Sequence, residues 1–167
     1  MDKSVNRQNS HSGIIRLLLK IPVPWVYVLT YLIALIPQIL LPVRIHSQEG
    51  LNIIKITGAT LFIVGAIFAT WSLIIFHKAR TTTTPGESSN KLVISGPYKI
   101  SRNPMYVSLI LAYLGEAGLL TQLWPVLFLP LTVLYVNRIV IPLEEEVLKK
   151  DFREYYENYM IKVRRWL

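Results

Sequence analysis

Charged positions leave three long gaps along the chain. Residues 21–43 and 56–76 carry no Asp, Glu, Lys or Arg, and residues 103–137 carry one such residue, Glu116. A helix crosses the hydrocarbon core of a bilayer with about 20 apolar residues, so the first two tracts each predict one span. The third tract is too long for one span and just long enough for two short ones. Gly115, Gly118, Thr121 and Gln122 mark a bend near its middle, and Trp124 and Pro125 restart the apolar run. The pattern therefore predicts four spans, at residues 21–43, 54–76, 104–121 and 123–143.

Beyond the fourth run the periodicity becomes amphipathic. Leu148, Phe152, Tyr155, Tyr159 and Val163 recur at the spacing of one helical stripe. Glu146, Lys149, Lys150, Arg153 and Glu157 take the other side, where Glu146 and Lys150 can pair one turn apart. Glu144 and Glu145 instead fall along the apolar stripe. Carboxylates on a buried or membrane-facing stripe need partners, which makes this pair a candidate site; the plainer reading is that they complement a helix dipole. The expected fold is all-α: a multi-pass integral membrane protein with about four transmembrane helices, including a short C-terminal-half hairpin, and a cytoplasmic amphipathic C-terminal helix. It forms one membrane domain over residues 1–167, with a polar tail at 1–20, two N-terminal spans at 21–76 and a core at 77–167.

Composition and charge sharpen this picture. Apolar residues make up 52% of the chain and charged residues 17%, which excludes a soluble catalytic domain of ordinary size. On a four-span path, sixteen of the eighteen Lys and Arg residues fall on one face, leaving only Arg44 and Lys55 on the other. The positive-inside rule makes that face cytoplasmic and puts both termini there, whereas three spans would divide the charges between faces. The net charge of +8 then suits an anionic membrane surface and calls for no nucleic acid. The chain has no cysteine, and His11, His46 and His77 are scattered, so no metal cluster is expected. The N-terminal stretch has no short apolar core with a cleavage site and reads as a retained tail.

The connection at residues 77–102 is long enough to be either functional or disordered. Both readings stand for residues 81–90. Residues 91–106 carry more pattern, with Leu92, Val93, Ile94, Tyr98 and Ile100 as apolar anchors around a turn at Ser95, Gly96 and Pro97. Asn103 and Pro104 read as the N-cap and first position of a helix. Met105 and Tyr106 then fall in its first turn, at the membrane boundary, where free amides favour an anionic group of a ligand.

These two regions resemble the isoprenylcysteine carboxyl methyltransferase and phospholipid methyltransferase superfamily, over roughly residues 84–167, with bacterial-type features. The first block runs from Lys91 through Leu92, Val93, Ser95, Gly96 and Tyr98 to Arg102, Asn103, Pro104, Met105 and Tyr106. The second is Glu144, Glu145 and Leu148, then Phe152, Tyr156, Tyr159 and the closing Val163, Arg164, Arg165 and Trp166. The resemblance implies a small multi-span enzyme of the bacterial inner membrane that uses S-adenosyl-L-methionine, with its active site at the cytoplasmic face. It assigns cofactor binding to Asn90, Lys91, Leu92, Val93, Tyr98, Asn103, Pro104, Met105 and Tyr106, and places Glu144 and Glu145 near the transfer site. Three positions depart from the pattern: Asn103 stands for a histidine of the eukaryotic members, Arg153 for a usual glycine, and Val140 for an arginine of the prenylcysteine enzymes.

Methyl transfer from a sulfonium is an in-line displacement whose main demands are close approach and exclusion of water. Because the sulfur loses its charge as the methyl leaves, a carboxylate touching it would stabilise the ground state more than the transition state. Glu144 and Glu145 are therefore expected to hold the cofactor's ammonium or to orient the acceptor. With a carboxylate acceptor, Arg138 is the candidate anchor, beside a plain snorkelling role. With an amine acceptor, Glu144 or a tyrosine is the candidate base. The expected substrate is a lipophilic small molecule or lipid, methylated on O, N or S amid membrane lipids. Glu116, at the far bend, is left out of the site. Two other readings remain at this point: a reductase of the sterol-reductase type using NADPH, and a non-enzymatic tetraspan subunit.

Overall fold

The computed structural model describes residues 22–43, 47–79 and 92–167. Among them every regular element is helical: α1 (Val23–Leu40), α2 (Gln48–Ala79), a short 3-10 turn (Gly96–Lys99), α3 (Pro104–Leu119), α4 (Leu123–Tyr135), a π segment (Val136–Val140) and α5 (Ile141–Lys162). Three helical stretches are long and apolar enough to cross a membrane: Val23–Leu40, Gln48–Ala79 and the continuous run Leu123–Lys162. The remaining apolar helix, α3, has 16 residues, or about 24 Å of length. The four apolar elements expected from the sequence are all present. The 32 residues of α2 reach about 48 Å, longer than the hydrocarbon is thick.

The tightest contact in the molecule is between α2 and α3. The buried positions of α2 are Gly58, Gly65 and Ser72, seven residues apart. Opposite them stand Gly115 and Gly118. A Cβ on Gly58 would sit 2.6 Å from the Leu119 nitrogen, and one on Gly115 would sit 2.5 Å from the Phe62 nitrogen. Lipid tails compete for apolar side chains on equal terms, so helices in a bilayer associate through close packing that small residues permit. The bend residues foreseen in the sequence thus serve a second purpose, as half of a backbone-to-backbone interface.

On the other side of α3, a core cluster joins Val23, Tyr27 and Tyr31 of α1 to Tyr113 and Ala117, and on to Leu129, Val136, Val140 and Ile141. Tyr31 meets Tyr113 edge to face at 4.9 Å and donates a hydrogen bond to Gln122 Oε1 at 2.8 Å. The Trp124 indole donates to the Leu41 carbonyl at 2.9 Å. The end of α1 is thereby fastened to the α3–α4 bend. The outward faces, with Ile36, Ile39, Ile63 and Ile67 exposed, match a lipid environment.

The C-terminal amphipathic helix is present as α5, and α4 passes through the π segment straight into it, while two local expectations are corrected. Pro142 explains the widened turn in part: it has no N–H to give, and the Ile141 N–H reaches back five residues to Val136. The apolar stripe is also not continuous. Tyr155 is 78% exposed, while its neighbour Tyr156 is 2% exposed and lies in the interior with Tyr159. Arg153 has φ 45° and ψ −123°, so the helix breaks there and restarts out of phase. Where the resemblance has glycine, Arg153 thus takes a positive-φ backbone that glycine adopts freely. Finally, Asn103 precedes Pro104 at the start of α3, but its side chain makes no cap; its amide donates to the Arg165 carbonyl instead, at 3.0 Å.

Candidate active site

The start of α3 and the start of α5 come together at one end of the bundle. Tyr106, in the first turn of α3, donates its hydroxyl to Glu144 Oε1 at 2.6 Å. Glu144 lies one residue beyond the fourth apolar run, half-buried between the helices. Burial pushes its carboxyl up to about 7, the Tyr106 hydrogen bond pulls it back down, and the neighbouring Glu145 charge raises it further. A carboxylate in this setting changes protonation near neutrality. The two sequence blocks thus meet through one short hydrogen bond.

Glu145 faces a different way and is fully engaged. Its Oε2 takes Arg165 Nη2 at 2.6 Å, and its Oε1 takes Arg102 Nη2 at 3.0 Å and Arg165 Nε at 3.2 Å. This is a two-pronged Arg165–carboxylate contact with a second guanidinium beside it. Arg165 also donates to Asn137, at 3.3 Å to Oδ1 and 3.4 Å to the carbonyl. That carbonyl lacks a helical donor because the residue five ahead is Pro142. The Trp166 indole donates to Asn137 Oδ1 at 3.1 Å.

Residues 163–167 therefore fold back over the site. The Arg102 N–H donates to the Arg164 carbonyl at 2.9 Å, and Ser101 Oγ, fully buried, donates to the Arg165 carbonyl at 3.1 Å. Tyr159 closes the same region from α5, donating to the Tyr98 carbonyl at 2.6 Å. Tyr98 is buried against Phe76, with ring centroids 5.6 Å apart. Burial chiefly, then the neighbouring Tyr159 hydroxyl and Glu144 carboxyl, hold the Tyr98 hydroxyl well above its ordinary value.

The structure brings Tyr98, Asn103, Pro104, Met105, Tyr106, Glu144 and Glu145 into this one end of the fold. Leu92 and Val93 are half-buried in non-helical backbone leading into the 3-10 turn. Ile94 and Ile100, expected as anchors, are exposed, and Pro97 and Tyr98 do the anchoring. Asn90 and Lys91 lie outside the described residues. Arg138 is exposed, on the flank away from the buried Val136 and Val140. Glu116 is exposed at the other end of the bundle. Among the described residues no group of three His, Cys, Asp or Glu is placed to hold a metal ion.

Ser101, Arg102, Asn137 and Arg165 were not singled out from the sequence as site residues. The basic ones read there as membrane-surface charge. The available signal was Glu145 itself, since a carboxylate on a buried stripe requires cations that the neighbouring motif and tail supply.

A family model described as phospholipid methyltransferase matches residues 53–155. The match takes in most of α2, all of α3 and α4, both glutamates and the Tyr106 region, and leaves α1, the end of α5 and the folded-back tail outside it. No curated protein and no solved structure matches the chain.

Proposed function

Because the chain belongs to the phospholipid methyltransferase family, we propose that it is an S-adenosyl-L-methionine-dependent methyltransferase acting on a lipophilic acceptor at the cytoplasmic boundary of a membrane. The observation that carries this reading is the 2.6 Å hydrogen bond between Tyr106 and Glu144, which joins the two family blocks at a half-buried carboxylate. Family membership speaks for methyl transfer over a nicotinamide reductase or an inert tetraspan subunit. The distribution of Lys and Arg supports cytoplasmic termini and a cytoplasm-facing site.

The polar groups present suit the proposed cofactor. Arg102 Nε is buried without a hydrogen-bond partner among the described residues, and Glu144 has one oxygen beyond the one that Tyr106 occupies. A guanidinium N–H and a carboxylate oxygen at the same end of the fold are the groups that an amino-acid zwitterion requires. Leu92 and Val93 supply apolar contact and main-chain groups for the nucleoside. Asn90 and Lys91 are assigned with them on the resemblance alone. When bound, S-adenosyl-L-methionine supplies an electrophilic methyl group on a sulfonium.

The chain's own task is then to position, to shield and to manage one proton. Glu145 serves as a positioning residue: its two arginines hold the start of α5 against the α3 segment, which fixes Glu144 beside Tyr106. Glu144, with its carboxyl raised to about 7, is suited to accept a proton from an amine or hydroxyl acceptor as the new bond forms. The buried rings of Tyr98, Tyr156 and Tyr159 and the folded-back tail keep water away from that carboxylate. Arg138, exposed on the outer flank, is left with a role at the membrane surface.

The test is to incubate membranes containing the chain with methyl-radiolabelled S-adenosyl-L-methionine and to separate lipid extract, protein and volatile fractions. Label in the lipid or volatile fraction that is lost in Glu144→Gln supports the proposal. No label above membranes lacking the chain overturns it.

A further inference from the structure

Three hydroxyls inside the apolar core lack a hydrogen-bond partner among the described residues. Tyr27 Oη of α1, Tyr113 Oη of α3 and Thr132 Oγ1 of α4 are all buried. They come from three helices that pack around the same apolar cluster. The Tyr27 and Tyr113 rings meet edge to face with centroids 6.2 Å apart. Thr132 lies on the same face of α4 as Leu129 and Val136, which pack in the cluster that holds both tyrosines.

Elsewhere the fold satisfies such groups. Tyr31 reaches Gln122, Ser72 reaches the Phe68 carbonyl, and Ser108 reaches the Met105 carbonyl. A buried hydroxyl with no partner loses its hydration for nothing in return, and native proteins carry few of them. Phenylalanine at two of these positions and valine at the third would fill the same space without that loss. The seam also adjoins the site. Tyr106 packs against the same cluster. Tyr27 lies outside the residues 53–155 that the family model matches.

We propose that Tyr27, Tyr113 and Thr132 form a recognition seam that hydrogen-bonds a neutral, oxygen-bearing part of the lipophilic acceptor, an ester carbonyl or a hydroxyl. Hydroxyls both donate and accept, which suits such groups. Glu116 is the charged group that acts on Tyr113, and an ionised phosphate near a carboxylate would be repelled as well as desolvated. The word acceptor rests on the methyltransferase reading; the binding itself is testable without it.

The experiment uses the full chain in detergent, with dioleoylglycerol as an oxygen-bearing neutral probe and hexadecane as an apolar control. Binding is titrated and thermal unfolding followed for the wild type and for the triple variant Tyr27→Phe, Tyr113→Phe, Thr132→Val. The unliganded variant is expected to unfold at the same temperature as the wild type or higher, since only unpartnered hydroxyls are removed. Dioleoylglycerol is expected to bind the wild type and to bind the variant at least about tenfold more weakly. Equal affinity in both proteins, no binding to the wild type, or equal binding of hexadecane overturns the seam.

In the radiolabel assay the variant is expected to show a raised KM for the membrane acceptor with unchanged affinity for S-adenosyl-L-methionine. Probe binding that depends on the hydroxyls, without any methyl transfer, would sink the enzymatic reading and leave the seam standing. Methyl transfer with an unchanged acceptor KM in the variant would do the reverse.

Discussion

Tyr106 and Glu144, 38 residues apart in the chain, share a 2.6 Å hydrogen bond in which the phenol donates and the carboxylate accepts. That bond crosses from the first turn of α3 to the first turn of α5. If Glu144 manages a proton, Glu144→Gln is expected to lower kcat by at least about 100-fold, the range in which general bases contribute. Binding of S-adenosyl-L-methionine, measured by equilibrium dialysis, is expected to weaken less than kcat falls. An unchanged turnover number in that variant would remove Glu144 from the mechanism.

The same pair makes a pH prediction. Transfer that needs ionised Glu144 rises with pH, with a midpoint near its raised value of about 7. In Tyr106→Phe the hydrogen bond that lowers this value is lost, so the midpoint moves to higher pH. Stability runs in the opposite sense. A carboxyl whose folded value is raised above its unfolded value of 4.5 contributes most when protonated in both states. Its contribution is lost as pH climbs from 4.5 to about 7. The wild type is expected to lose stability across that window, and Glu144→Gln to lose less, as read by thermal unfolding in buffers of stepped pH.

Glu145 makes a prediction of a different kind. Its neighbours Arg102 and Arg165 are held at 3.0 and 2.6 Å. Arg165→Ala removes the two-pronged contact and leaves Glu145 with Arg102 alone. Because the Arg165 side chain is about one-third exposed, the expected loss is about 2 kcal/mol, less than for a fully buried pair. Arg165→Lys is expected to rescue only part of it, since an ammonium cannot reproduce the fork. Denaturation midpoints of the three proteins provide the check.

Arg153 offers a gain. Its backbone, at φ 45° and ψ −123°, occupies a region that L side chains rarely adopt and glycine adopts freely. Arg153→Gly is expected to stabilise the fold by about 1 kcal/mol. Arg153→Val is expected to destabilise it by a similar amount or more. Matched thermal melts would show the opposite signs.

The α2–α3 interface is expected to tolerate no added bulk. In Gly115→Leu the new side chain would begin 2.5 Å from the Phe62 backbone, so the helices must separate. The expected cost is about 3 kcal/mol or more, seen as loss of folded protein in gel filtration. Substitution of the exposed Ile63 by Leu is the control and is expected to leave the elution profile unchanged.

What the sequence made legible follows from how local each signal is. The apolar runs foretold the helices because membrane insertion depends on length and composition alone. Tyr106 and Glu144 were found because each sits in a compact motif. The position of Tyr156 was not foreseen: one left-handed residue, Arg153, resets the helical phase, and a stripe drawn at constant period selects Tyr155 instead. Arg165 was hidden by a competing rule, since any arginine near a membrane satisfies the positive-inside bias without a specific partner. Tyr27 was hidden likewise, because a tyrosine near the end of a span already has an interfacial explanation. Arg138 shows the converse, a charge close in sequence to the glutamates that the π segment turns outward.

The folded-back tail fixes when the site can exist. The apolar helices need only length and composition to enter the bilayer and can do so before residues 163–167 dock. Until then Glu145 has Arg102 as its sole cationic neighbour, Asn137 lacks the guanidinium and indole that bind it, and Ser101 and Asn103 lack their acceptor carbonyl at Arg165. Entry into lipid and completion of this end of the bundle are thus separable. A chain whose last five residues cannot dock would be embedded in lipid yet without the contacts that tie α3 to α5 there.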